Sequence, residues 1–286
     1  MNMGKTVKGL LVIGNGTRPG EETDPDNKPE GIERFIETTE KQAESLRDQL
    51  NELQDGTDYQ VYVGFPSASP TIEQAVEKMA QDGIDEAVSI VLTPHYSTLT
   101  VKRFQDRAKA KAEESGIELS VINSWHEAPG YIWYWTNAIK DIYDEMTFEE
   151  QEKTVVLFSA QSLPDKIVDV GDPYPHQVEE SAQLISDASG VFHFDIGWQS
   201  EGNGSEPWLG PDIEDLTRIL YHEMDYRSFI FAPIGYVTDQ PDVLHDIDVR
   251  CKAVCQELEA RFYRPELPNT DLLFIDGLAN VILKHQ

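Results

Sequence analysis

Short apolar runs alternate with amphipathic stretches along almost the whole chain, and this alternation restricts the fold more than any other property of the sequence. The runs at 7–15, 59–65, 86–94, 117–125, 154–161, 191–199 and 227–237 are rich in β-branched and aromatic residues and read as strands. Helical periodicity fills the gaps. Over 31–54, Ile32, Phe35, Ile36, Ala43, Leu46, Leu50 and Leu53 recur at spacings of three and four. Further helices are predicted at 69–83 and 100–116, each closed by Gly, and at 130–146, about 175–189, 210–224, about 241–262 and 270–285. Strands that are apolar throughout and separated by helices predict an α/β fold, with parallel sheets covered by helices on both faces.

The pattern runs twice. GLLVIGNGT and TVVLFSAQS each end a first strand with a small residue, an amide and another small residue. SIVLTPHYS and SFIFAPIGY each place a Pro just after an apolar strand. Two similar α/β halves account for this echo, 1–150 and 151–286, joined near the polar run MTFEEQEK, with the last helix expected to pack back on the first half.

Composition narrows the partners. A formal net charge of −29 argues against nucleic acid, because phosphate recognition needs a basic surface. The same charge argues against an anionic membrane surface. No apolar stretch is long enough to span a bilayer, and the start carries no signal-peptide pattern, so the expected location is the cytoplasm. Cys251 and Cys255 lie four apart on an expected helix, where a disulfide is geometrically awkward; they read as small buried residues of a reduced protein.

Several stretches carry chemistry. GNGTRPG follows a strand, but its last glycine spacing is one too long for a dinucleotide fingerprint, so a tight glycine turn is the simpler reading. His95 in TPHYST follows a buried strand and reads as a ligand, a base or a hydrogen-bonded helix start. Asp242 and Asp246 are four apart on a helix and could gather a divalent cation or move protons. Asp242 also suits a helix N-terminus, and Arg250, one turn on, is placed to pair with Asp246. The segments GWQSEG and WLGPD hold Trp198 and Trp208 in a polar loop fit for a planar ligand or for packing. Gln161 ends the buried run TVVLFSAQ, so the carboxyl end of that strand presents an uncharged amide.

SAQSLPDKI, GDPYPHQVEESAQLI, GWQSEG with PWLGPDIEDL, TPHYST, and FYRPELPN with FIDGLA occur in order along nearly the whole chain. Together they resemble the ferrochelatases, and most closely the coproporphyrin type of Gram-positive bacteria. The resemblance implies two Rossmann-like halves with a tetrapyrrole cleft between them. It implies insertion of ferrous iron into a porphyrin with loss of two protons, in haem biosynthesis. The tetrapyrrole positions it implies are Asn15, Thr17, His95, Tyr96, Ser97, Trp198 and Glu201, with Asp242 catalytic and Asp242 and Asp246 toward the metal.

The departures from the family pattern are specific. Where the family places its basic His, in S-A-H-S-L-P, this chain has Gln161. An amide takes up no proton near neutral pH and binds ferrous iron poorly. The family's Glu on the acidic helix matches the shorter Asp242, and the last acid of its row matches Arg250. Asn15 stands where the coproporphyrin type has Tyr and where related cobalt and nickel chelatases have His. The segment RPGEETDPDNKPE replaces a longer cleft lip and leaves Arg18, Lys28 and Arg34 as its basic residues. These departures favour a catalytically impaired porphyrin- or haem-binding paralogue, partnered by coproporphyrin, a haem-like tetrapyrrole or other haem-pathway proteins. The alternative is an active chelatase inserting Fe2+ or another divalent metal into coproporphyrin III or a related tetrapyrrole, with Asp242 or His95 taking the proton.

Overall fold

The computed structural model describes residues 6–16, 31–202 and 206–285. The chain divides into two compact units, Met1–Gly130 with Asn269–Gln286, and Tyr131–Pro268. The division lies ahead of the MTFEEQEK run where the sequence places it, because Tyr131 belongs with the second unit: its hydroxyl donates to the Ile234 carbonyl at 2.8 Å.

In the first unit the elements are β1 (Thr6–Ile13), α1 (Ile32–Leu53), β2 (Thr57–Gly64), α2 (Ile72–Gln81), β3 (Glu86–Val91), α3 (Val101–Ser115) and β4 (Glu118–Ile122). The strands form a parallel sheet in the order β2-β1-β3-β4. Along β1, Leu11 and Ile13 pack against Ile72, Val76 and Met79 of α2 and Ala108 and Ala112 of α3. Leu10 and Val12 alternate to the other face and are equally buried. α2 starts with a capping box in which Thr71 and Gln74 satisfy each other's backbone N–H groups.

The second unit contains α4 (Pro129–Asp144, apart from its first two residues), α5 (Phe148–Gln151), β5 (Thr154–Gln161), α6 (Lys166–Asp169), α7 (Tyr174–Ser189), β6 (Phe194–Gln199), α8 (Ile213–Glu223) and β7 (Ser228–Ala232). Then come α9 (Pro241–Val243), a π-helical segment (Leu244–Cys251), α10 (Lys252–Glu257) and β8 (Arg261–Tyr263). Its parallel sheet has the order β6-β5-β7-β8, the same topology as the first. The repeated sequence echo therefore has a structural basis: β1 corresponds to β5, and β3 to β7.

The helix expected over 241–262 is corrected here. It opens as one α turn, widens into the π segment, ends at Glu257 and gives way to β8. The closing helix α11 (Leu272–His285) belongs to the first unit, where it packs on α1. Gln42 Nε2 donates to the Asn269 carbonyl at 2.6 Å, and Gln49 Nε2 donates to Asp276 Oδ1 at 2.9 Å. Cys251 and Cys255 are free and buried, and burial pushes both thiols up from their ordinary range. No helix among the described residues is long and apolar enough to cross a membrane.

Candidate functional site

In each sheet the chain adds a strand to one side of the first strand and then crosses to the other side. The reversal falls between β1 and β3, and again between β5 and β7. Ligands of open α/β sheets bind at the carboxyl ends of strands flanking such a reversal. Most of the candidate residues lie at these two edges.

In the second unit all eight residues of β5 are buried, and Gln161 is the last of them, 9% exposed. Its carbonyl accepts a hydrogen bond from Tyr174 Oη at 2.9 Å. Burial keeps the Tyr174 phenol protonated, so it remains a donor at working pH. One strand across, Gln199 is the register partner of Gln161, and its Oε1 accepts from Ser159 Oγ at 2.8 Å. The Ser162 N–H donates to the Gln199 carbonyl at 2.7 Å, and Ser162 Oγ donates to the Leu209 carbonyl at 2.8 Å. The SAQSLP turn is thus tied to the end of β6 beside Trp198 and to the loop that carries Trp208.

Trp198 is 7% exposed, and its ring packs on Tyr174 with centroids 5.7 Å apart. Ser200, just after β6, adopts φ 55°, and its Oγ donates a short hydrogen bond to Asp246 Oδ2. Glu201, next along, is exposed. The loop after β7 folds over β5: the Gly235 N–H donates to the Ser159 carbonyl at 3.0 Å. A Cβ on Gly235 would stand 2.6 Å from the Cβ of Ala160, so only glycine fits this approach.

That loop leads to Asp242, half-buried in the first turn of α9. Asp246 is 1% exposed. Both of its oxygens are engaged, Oδ2 by Ser200 and Oδ1 by Arg250 Nη1 at 3.2 Å. Arg250 also pairs with Glu214 at the start of α8. Burial pushes the Glu214 carboxyl up, and Arg250 pulls against it. Among the described residues, no group of three or more His, Cys, Asp and Glu is placed to hold a metal ion.

In the first unit Asn15 follows β1, half-buried, and Thr17 lies outside the described residues, as do Arg18 and Lys28. The two glycines flanking Asn15 serve packing. A Cβ on Gly14 would meet the Phe65 ring at 2.6 Å, and one on Gly16 would meet the Phe35 ring at 2.2 Å. Phe35 and Phe65 themselves meet edge to face at 5.8 Å.

After β3, His95 and Ser97 are fully buried, while Tyr96 is half-buried against the α2–α3 core. Ser97 Oγ accepts from the Leu99 N–H at 3.1 Å. The His95 ring faces His126 at 6.2 Å. Burial, and secondarily the neighbouring His126, hold His95 well below the usual imidazole range, so it is neutral at working pH. Ser124 Oγ donates to the Pro94 carbonyl at 3.0 Å, which leaves His126 Nδ1, 2.7 Å away, as the donor to Ser124.

Tyr174, Gln199, Ser200, Glu214 and His126 were not singled out as site residues from sequence. Tyr174, Gln199 and Ser200 lie inside the quoted motifs GDPYPHQ and GWQSEG; Glu214 lies in PWLGPDIEDL. His126 carries no motif signal and emerges only from its approach to His95.

A family model for Ferrochelatase matches residues 27–286. The chain belongs to the ferrochelatase family. It is 47% identical over 306 residues to the coproporphyrin III ferrochelatase of Geobacillus thermodenitrificans, covering 99% of this chain and 97% of the relative. It is 42% identical over 307 residues to the coproporphyrin III ferrochelatase of Bacillus subtilis, covering 99% of each. Among solved structures, SirB from Bacillus subtilis with Fe3+ is similar at a TM-score of 0.65 and 13% identity, with 97% of this chain and 95% of that one covered. CbiX, the terminal enzyme for biosynthesis of siroheme in denitrifying bacteria, is similar at a TM-score of 0.59 and 13% identity, with coverage of 98% and 99%. These two likenesses establish the chelatase fold, and the ferrochelatase relatives establish the family.

Proposed function

We propose that this chain is a tetrapyrrole-binding ferrochelatase-family protein whose iron insertion is impaired at proton removal. One observation carries the reading: the side chain ending the buried central strand β5, where the family places its base, is the amide of Gln161. A free-base porphyrin must lose two inner N–H protons before ferrous iron can take their place. Gln161 can donate and accept hydrogen bonds but cannot take up those protons near neutral pH. The surrounding frame is intact, with Tyr174, Gln199 and Ser162 holding the turn. A retained strand-end frame with a lost base supports binding without ordinary turnover.

The favoured ligands are coproporphyrin III and haem, bound near Gln161, Trp198, Glu201 and Asp242. The favoured partners are cytoplasmic proteins that supply or receive such tetrapyrroles. Titration of the purified protein with coproporphyrin III and with haem is expected to shift the Soret band. Anaerobic addition of ferrous iron to the porphyrin-loaded protein is expected to yield metalloporphyrin at the protein-free rate. No Soret shift with either ligand overturns the binding reading. Insertion well above the protein-free rate overturns the impairment and favours an active enzyme in which Asp242 takes the proton.

A further inference from the structure

The most constrained backbone near Gln161 is at Ser200. Among the described residues, Ser200, Asp225, Glu259 and Asn269 are the non-glycine residues at positive φ. Asp and Asn tolerate that region through local hydrogen bonding; Ser has less claim to it. Ser200 sits between Trp198, which is packed on Tyr174, and the exposed Glu201. A strained residue persists only where its surroundings over-determine it.

The surroundings here are an ionic chain that starts at buried Asp246 and runs out to the exposed Arg250. Ser200 Oγ donates to Asp246 Oδ2, a charge-assisted bond. Arg250 donates to Asp246 Oδ1 and pairs with Glu214, whose own N–H donates to Asp212 Oδ1 at 2.8 Å. The chain therefore joins the loop after β6, the start of α8 and the π segment.

We propose that Asp246 is a positioning residue that, clamped by Arg250 and Glu214, holds Ser200 in its left-handed turn and so fixes Trp198 and Glu201 for tetrapyrrole binding. In this chain Arg250 is the permanent counter-cation of Asp246. The inference rests on the tetrapyrrole-binding reading for its functional consequence, and its structural half can be tested without ligand.

The ligand-free test is hydrogen exchange across residues 198–202. Ser200→Ala and Asp246→Ala are each expected to speed exchange there by about tenfold, the loss of one hydrogen bond to a charged group, and to leave β5 unchanged. Unchanged exchange in both variants overturns the latch. The ligand test is Soret titration with coproporphyrin III. Ser200→Ala is expected to weaken binding by about tenfold, and Ser200→Gly, which needs no latch to reach positive φ, to bind within about threefold of the native protein. Ser200→Gly placed in the Asp246→Ala background is expected to restore binding, a rescue that a general loss of packing would not give. Failure of that rescue overturns the positioning role. If the native protein itself binds no tetrapyrrole, the functional reading fails, and the exchange experiment still decides the latch.

Discussion

The hydroxyl of Tyr174 donates to the backbone carbonyl of Gln161, 2.9 Å away, and both residues are buried. The last peptide of β5 is therefore pinned by a side chain from α7, independent of what the residue at 161 carries. Position 161 can change from imidazole to amide while its backbone stays where the fold needs it.

Tyr174→Phe removes that donor and leaves a buried carbonyl unsatisfied. The variant is expected to lose about 1–3 kcal/mol of stability by urea unfolding. It is also expected to bind coproporphyrin III more weakly in Soret titration. Unaltered stability and affinity would show that the pin is dispensable.

Gln161→His restores a base on the pinned strand end. Its anaerobic insertion rate is expected to exceed that of the native protein by about 100-fold or more, the usual worth of a positioned general base. The rate should rise with pH through the ordinary imidazole value of about 6.5, because only neutral imidazole takes a proton. A rate no faster than the native one would place the block elsewhere.

Gly16→Ala puts a methyl group 2.2 Å from the Phe35 ring. Overpacking of this kind costs about 1–3 kcal/mol, read by thermal or urea unfolding. Phe35→Leu in the same chain should recover part of the loss, because the two sites share one contact. Strict additivity of the two substitutions would show that the clash is not the cause.

Glu73 and Arg107 form a two-pronged pair, with Nε at 2.7 Å and Nη2 at 2.8 Å, and this holds the Glu73 carboxyl down to about 2 from an ordinary value of 4.5. A depressed carboxyl stabilises the fold above its unfolded value and loses that contribution as pH falls toward the folded one. The stability difference between native protein and Glu73→Gln is therefore expected to be full at pH 7 and to shrink from 4.5 downward to about 2. Because the pair is partly exposed, the difference should be modest and salt-sensitive. A difference that stays constant through that range would remove the pair from the acid response.

Much of the frame was legible in the chain itself. β5 spans the eight residues TVVLFSAQ of its predicted run, and all eight are buried, as expected of a central strand covered on both faces. The pairing of Asp246 with Arg250 followed from their spacing. The π segment did not, because an extra backbone residue per turn changes no side-chain type. β8 escaped because three residues carry no periodicity. It is held by Glu150, which accepts from Arg261 at 2.6 Å and from Tyr263 at 2.8 Å across more than a hundred residues of chain. The bond from Ser200 to Asp246 has the same character, since no local pattern reports a partner 46 residues away.

The placement of α11 on the first unit has a consequence for how the chain is made. Residues 6–122 supply every strand of that unit, yet the helix that covers α1 arrives only with residues 272–285. During synthesis the first sheet must wait, with α1 partly uncovered, while the whole second unit emerges and folds. The second unit, Tyr131–Pro268, has no such dependence and can close on its own segment of chain. The part of the protein translated first is thus the part completed last, and its uncovered α1 is the surface a ribosome-associated chaperone would meet.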